Sequence, residues 1–429
     1  MNRFYLRTDP AQPQRPGWAL LDWFGRGGSS TVSGSLRDLT GDTGTPSPTA
    51  LDLLRLAVGV YSADKAALRD AERDRWTRSL CLDIPVSDSD RWRDAAPAFE
   101  EALAFLTNDN WELRFRPLPA VEPAAPPLFG VDAVSLFSGG LDSLAGAIDL
   151  LEQGQTVILV GHYDSNLLLP RQQHLFHELR ARYGADRVHY RPFYLRLASA
   201  SEAQAHPLAV GRESTTRSRS FLFIAAAGLV ASILQVDFAY VPENGYIGLN
   251  IPLEPSRLGA CSTRTTHPHF LRLLGKAFAE VDGPRIINPY QEQTKGEVLE
   301  SNPDADFLMA LAPSSISCAH PEVGRWQGSG YGNCGYCYPC LMRRVALHRL
   351  GADDVAHYRV DAGAAAFVRE GGVRSGHIRA LIDSTYRPGH PSDVLRSGPL
   401  PRGSVGEFSN LYERGRAEIS AWLKASVSA

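Results

Sequence analysis

The stretch that most constrains this chain runs from Val131 to Leu150, VDAVSLFSGGLDSLAGAIDL. Its first part, Val131–Phe137, is short, apolar and partly β-branched, as a buried strand requires. Ser138-Gly139-Gly140-Leu141-Asp142-Ser143 follows, and then Ala, Leu and Ile recur at helical spacing. A strand, a Gly-Gly turn and a helix start together make a cradle for anions. The glycines let phosphate approach the backbone, the first N–H groups of the helix point into the turn, and the macrodipole favours negative charge there. Ser138 and Ser143 add hydroxyl donors, and Asp142 is placed to cap the helix or to help hold magnesium. Gly-Gly turns also occur in plain strand-to-helix connections, but the full string SGGLDS after a buried strand is far more specific. No G-x-x-x-x-G-K-[ST] loop occurs.

A chain of 429 residues exceeds one ordinary core, so two or three domains are expected. Hydrophobic residues at 44% and charged residues at 21% fit a globular protein. The formal net charge of −3 points to no long nucleic acid. Basic residues are nearly all arginine; lysine stands only at 65, 276, 295 and 424, so a lysine within a motif draws notice. The N-terminus lacks the apolar run of a signal peptide. The longest apolar run, Phe221–Leu234, is too short to span a bilayer, and a cytoplasmic protein with no membrane partner is expected.

Residues 1–125 are expected to form an N-terminal α/β domain, with strands near Arg3–Arg7, Trp18–Phe24, Leu80–Pro85 and Trp111–Phe115. Helices are expected from Ala50 to about Asp74 and over Trp92–Leu106. Trp76, Trp92 and Trp111 read as core. The Pro/Ala stretch Pro117–Pro127 reads as a linker. Over 130–312 strands alternate with helices, which predicts a parallel sheet with helices on both faces. His162 and Asp164 end its second strand, and Glu243-Asn244 end a later one, at the carboxyl edge where such sheets bind ligands. The irregular stretch Gly248–Phe270 is long for a structureless loop, and Arg264, Thr266 and His267 are its candidates for gripping a small planar substrate. Residues 351–429 are expected to be a helical C-terminal region, with a last helix over Glu407–Ala425.

Between these regions, over 313–350, Cys318 precedes Cys334, Cys337 and Cys340. The C-x2-C-x2-C spacing lets one tight loop aim three thiolates at one ion, and Cys318 can supply the fourth. Four soft ligands in tetrahedral geometry suit zinc in a closed, structural site, and the metal would fold a segment with little apolar core of its own. An iron–sulfur cluster is the alternative. Cys81 reads as core, whereas Cys261 lies in the irregular loop and could be reactive.

SGGLDS resembles the PP-loop of the ATP pyrophosphatase family, whose fold splits ATP into AMP and pyrophosphate to adenylate a substrate. With the cysteine cluster it resembles the 7-cyano-7-deazaguanine synthase family. Arg217, four residues before Phe221-Leu222, matches the basic residue opening that family's R-N-x-x-F-L helix, with Ser218 in place of its asparagine. Thr294-Lys295 with Glu297 matches its T-K-x-E segment, and Arg343 matches the arginine after the last cysteine. The resemblance covers residues 130 to about 350. It implies ATP, Mg2+ and Zn2+ as cofactors and a 7-deazaguanine carboxylate as substrate. It also implies Asp142, Lys295 and Arg217 as catalytic groups, with Arg219 as the alternative to Arg217, and His162 and Arg343 joining the loop around ATP.

The N-terminal 129 residues, the tail and the TRTTHPHF segment depart from the short biosynthetic enzyme. They are similar instead to larger synthase-like proteins of bacterial anti-phage defence operons. That implies a partner protein, encoded in the same operon, as the nitrogen acceptor. Free nitrile synthesis, tRNA thiolation and a non-catalytic scaffold stay open as alternatives.

Overall fold

The computed structural model describes residues 1–24, 31–40, 44–118, 130–163, 167–198, 212–214, 217–253, 264–323 and 330–427. Most of the expected linker, Asp164 and Cys261 lie outside the described residues.

The first sheet is parallel, in the order β2 (Ala19–Asp22), β1 (Asn2–Arg7), β4 (Ser79–Val86), β5 (Asn110–Pro117). β4 is central and nearly continuously apolar, as a strand covered on both faces must be. The edge strand β5 alternates, burying Trp111, Leu113 and Phe115 and turning Glu112 and Arg114 outward. The helix over Pro48–Ala66 ends before the expected Asp74. Arg78 accounts for the early stop, because its guanidinium takes the carbonyls of Asp64 and Ala67 that a continuing helix would use. A short antiparallel pair that the sequence pattern did not reveal, β3 (Val32–Gly34) with β9 (Leu195–Leu197), ties this layer to the second sheet.

The second sheet is parallel and five-stranded, ordered β11 (Arg285–Ile287), β10 (Phe238–Tyr240), β6 (Ala133–Leu136), β7 (Val157–His162), β8 (Val188–Phe193). Along β7 the period of two sorts side chains into different cores: Ile158 and Val160 join one, Val157 and Leu159 the other. The strand order reverses between β6 and β10. Crossovers therefore leave on opposite faces there, and a crevice opens beyond the carboxyl ends of those two strands.

The helix Arg219–Leu234 is apolar on all sides, with twelve of its sixteen residues buried. It lies between the sheets, and a single hydrophobic cluster runs from Leu53 and Phe99 of the first layer through Phe221 and Leu229 to Val134 and Val160 of the second. The C-terminal helix Val405–Ser426 packs Phe408, Leu411 and Trp422 against Leu341 and Val345 of the helix Tyr338–Arg349. The cysteine segment therefore shares a substantial apolar core, contrary to the expectation that metal alone would organise it. Among the described residues no helix is long and apolar enough to cross a membrane.

Candidate active site

SGGLDS fills the turn between β6 and the helix Leu141–Glu152, at the crevice. Gly139 takes φ +82°, a conformation that penalises any side chain. A Cβ there would also meet Gln172 Cγ at 3.1 Å. Gly140 is the helix N-cap and supplies no capping side chain, which keeps the first-turn N–H groups available. The Ser138 and Ser143 hydroxyls sit 3.2 Å apart over the turn. Gln172, which the sequence did not single out, is fully buried and aims its amide at the carbonyls of Phe137, Ser138 and His162, holding the ends of β6 and β7 together.

Below the turn, Lys295 Nζ donates to Asp142 Oδ1 at 2.6 Å and Asn244 Nδ2 donates to Asp142 Oδ2 at 2.8 Å, all three side chains being buried. Three separated elements supply this cluster. Asp142 comes from the first turn of the helix Leu141–Glu152, Asn244 from the N-cap of the helix Gly245–Leu249 beyond β10, and Lys295 from a helix start fixed by a Thr294–Glu297 capping box. Burial opposes ionisation of Asp142, but Lys295 and the hydrogen bonds from Glu243, Lys295 and Asn244 outweigh it and keep the carboxyl below its usual pKa. Burial, and then the charge of Asp142, push Glu243 well above the usual range. Both Asp142 oxygens already accept hydrogen bonds, and a hard cation would have to displace the Glu243 proton to use the two carboxyl groups together. Asp142 and Glu243 are the residues that would hold magnesium.

A cavity of about 330 Å³ opens beside them, lined by Ser138, Ser143, Arg219, Phe223, Glu243 and Thr266 among others. Of the arginine pair at the helix start, Arg219 reaches this cavity and donates from Nε to His162 Nδ1 at 3.0 Å. That bond leaves the proton on His162 Nε2, and burial, then the Arg219 charge, hold the ring well below its ordinary pKa. Arg217, the expected catalytic arginine, lies elsewhere. It donates to Thr107 O, stacks 4.3 Å from the Trp76 ring, and is lowered to about 10 by burial and then by Arg69. It belongs to a buried hub in which Arg78 bridges Asp64 and Asp109 while Asp64 accepts from the backbone and hydroxyl of Ser218. Two residues apart on a helix start point to different sides, and only the tertiary contacts select between them.

Thr266 reaches the cavity, but Arg264 and His267 turn away. Arg264 donates to Phe105 O and covers the Phe105 ring at 4.5 Å, while His267 caps the helix Pro268–Glu280 and is lowered to about 3 by burial. Arg343 is fully buried, and binds the Ser315 hydroxyl and the Ala312 carbonyl. It thereby braces the segment whose Ile316 N donates to Gly139 O, so it supports the turn from behind.

The sulfurs of Cys318, Cys334, Cys337 and Cys340 lie within 4.8 Å of one another, with 3.8 Å between Cys334 and Cys340 and 3.9 Å between Cys318 and Cys337. A zinc ion bound tetrahedrally by sulfur at ~2.3 Å needs edges of about 3.8 Å, so the cluster fits it. Backbone N–H groups of Ala319, His320, Cys334 and Cys337 point at these sulfurs, as thiolates require. Cys81 is apart, fully buried in β4, where burial pushes its thiol up to about 11.

No family model matches the chain. Over 139 residues it is 27% identical to the 7-cyano-7-deazaguanine synthase of Methanothermobacter thermautotrophicus, covering 32% of this chain and 56% of that protein. The chain thus spans little more than half the length of that relative, and the likeness to a PP-loop ATP pyrophosphatase is weak. A ketoreductase domain from the bacillaene assembly line aligns with 66% of this chain and 76% of its own at 10% identity, with a TM-score of 0.22. That score carries no argument.

Proposed function

We propose that the chain is an ATP-dependent ligase that adenylates a 7-deazaguanine carboxylate and passes the acyl group to a nitrogen nucleophile. A partner protein would supply that nitrogen, in the anti-phage setting that the extra domains suggest. The observation that carries the reading is the convergence of SGGLDS, Asp142, Asn244 and Lys295 at the reversal point of the parallel sheet. Its weight comes from cost. A buried Lys–Asp pair returns little stability against burying a neutral pair, so its position under an anion cradle favours a role in chemistry.

The carboxylate oxygen attacks the α-phosphorus of ATP, the bond to the β-phosphate oxygen breaks, and pyrophosphate leaves. The first-turn N–H groups, Ser138 and Ser143 offset the charge growing on it, Arg219 in the same cavity adds positive charge, and Lys295 adds more from its pair with Asp142 below the turn. Magnesium bound at Asp142 and Glu243 would add charge neutralisation there. The amine then attacks the acyl carbon, loses a proton, and AMP leaves with the bonding pair. The cysteine cluster, with no open position, would serve structure.

ATP–pyrophosphate exchange with 7-carboxy-7-deazaguanine tests this. Exchange that requires the deazaguanine and falls at least ~100-fold in Ser143→Ala is expected, in line with the loss of one oxyanion-type donor. No exchange from folded, zinc-loaded protein would refute the substrate class.

A further inference from the structure

A second and larger cleft, about 690 Å³, adjoins the first and shares Arg219 with it. Three regions build it: Tyr61 and Lys65 from the N-terminal layer, Arg196 and Arg212 from the chain around β9, and His320, Glu322 and Tyr331 from the cysteine segment. Among the described residues four cationic side chains and one carboxylate line it, in a chain whose formal net charge is −3. The excess of positive charge is therefore local. One side of the rim is tied to the N-terminal layer, because Lys65 Nζ donates to Glu213 O at 2.7 Å and Glu213 N returns a bond to Lys65 O at 3.0 Å. Arg196 and Arg212 are exposed, and Arg212 donates to the Ala198 carbonyl.

We propose that this cleft binds the acceptor, as an acidic polypeptide segment that carries the nucleophilic amine toward the acyl-adenylate past Arg219. The inference rests on the ligase reading for its purpose and on the cleft alone for its ligand. Charge complementarity selects an acidic chain, and the part-exposed Val323 and Tyr331 give it apolar footing. Attack would form the amide C–N bond and break the acyl C–O bond to AMP, with the amine proton passing to solvent.

The test uses the full chain and a ten-residue Asp/Glu/Gly peptide with a free N-terminus and a fluorescein at its C-terminus. Fluorescence anisotropy should show binding that weakens at least tenfold in the Arg196→Glu/Arg212→Glu double variant and tightens in Glu322→Lys. A lysine-rich peptide of the same length should not bind. ATP–pyrophosphate exchange should be unchanged in both variants, which separates failure of this site from failure of the ligase reading. Equal affinity in wild type and both variants would overturn the proposal. Displacement of the peptide by ATP alone would overturn it too, since the cleft would then be a nucleotide site. Glu322→Lys keeps the test decisive if the double variant does not fold.

Discussion

At Asp142 two opposing costs meet. Its carboxylate is buried with Glu243 beside it, and Lys295 is the cation that makes the arrangement tolerable. Lys295→Met should therefore destabilise the protein by about 3–5 kcal/mol, the usual effect of stranding a buried charge. Asp142→Asn added to it should recover most of that loss, because the stranded charge is gone, while exchange stays absent. Urea unfolding of the two variants measures this, and a double variant no more stable than Lys295→Met would show that the pair is not the source of the cost. Much of this site was legible in the sequence because SGGLDS and the T-K-x-E segment are local strings. Gln172 was not, and Arg219 stood only as the alternative to Arg217. Their roles come from contacts with His162 and with the carbonyls closing β6 and β7, which no local spacing encodes.

Among the elements, the cysteine segment is tied to the anion cradle more directly than its structural role suggests. A Cβ on Gly140 would lie 3.3 Å from Ser317 Oγ, and Ile316 N bonds Gly139 O, one residue pair away from Cys318. Zinc at Cys318 would thus hold one side of the turn. Metal analysis should find one zinc per chain. Its removal by a chelator should lower the thermal midpoint by several degrees and slow exchange at least tenfold, about 1.4 kcal/mol in the barrier. The helix Tyr338–Arg349 and its partner Val405–Ser426 should persist, as their apolar contacts do not need the ion. Circular dichroism checks that point, and wholesale loss of helix would show that metal organises the whole region. Strands and long helices of the parallel sheets were readable from period and composition. The β3–β9 strap was not, because three residues carry too little pattern and the pairing spans distant parts of the chain.

For the whole molecule, if residues 1–125 served only to recruit an acceptor, deleting them would leave adenylation intact and abolish transfer. The shared core argues otherwise. The helix Arg219–Leu234 meets Leu53 at Gly228 and exchanges hydrogen bonds between Ser232 and Ser47, while Asp64 holds Ser218 at its start. Removing the N-terminal layer would expose a helix that has no polar face, at ~1.5–3 kcal/mol for each large apolar side chain uncovered, and would take away the Asp64 bonds at Ser218, next to the arginine that lines both clefts. A fragment starting at residue 130 should therefore bind a hydrophobic dye, lose its near-ultraviolet dichroism and show neither exchange nor transfer. A fragment that unfolds cooperatively and still exchanges pyrophosphate would prove the two cores separable. In the proposed reading the layer would seat the helix that begins at Arg219, through the bonds of Asp64 to Ser218, and would lend Tyr61 and Lys65 to the larger cleft. Only point substitutions on that cleft can part the two roles.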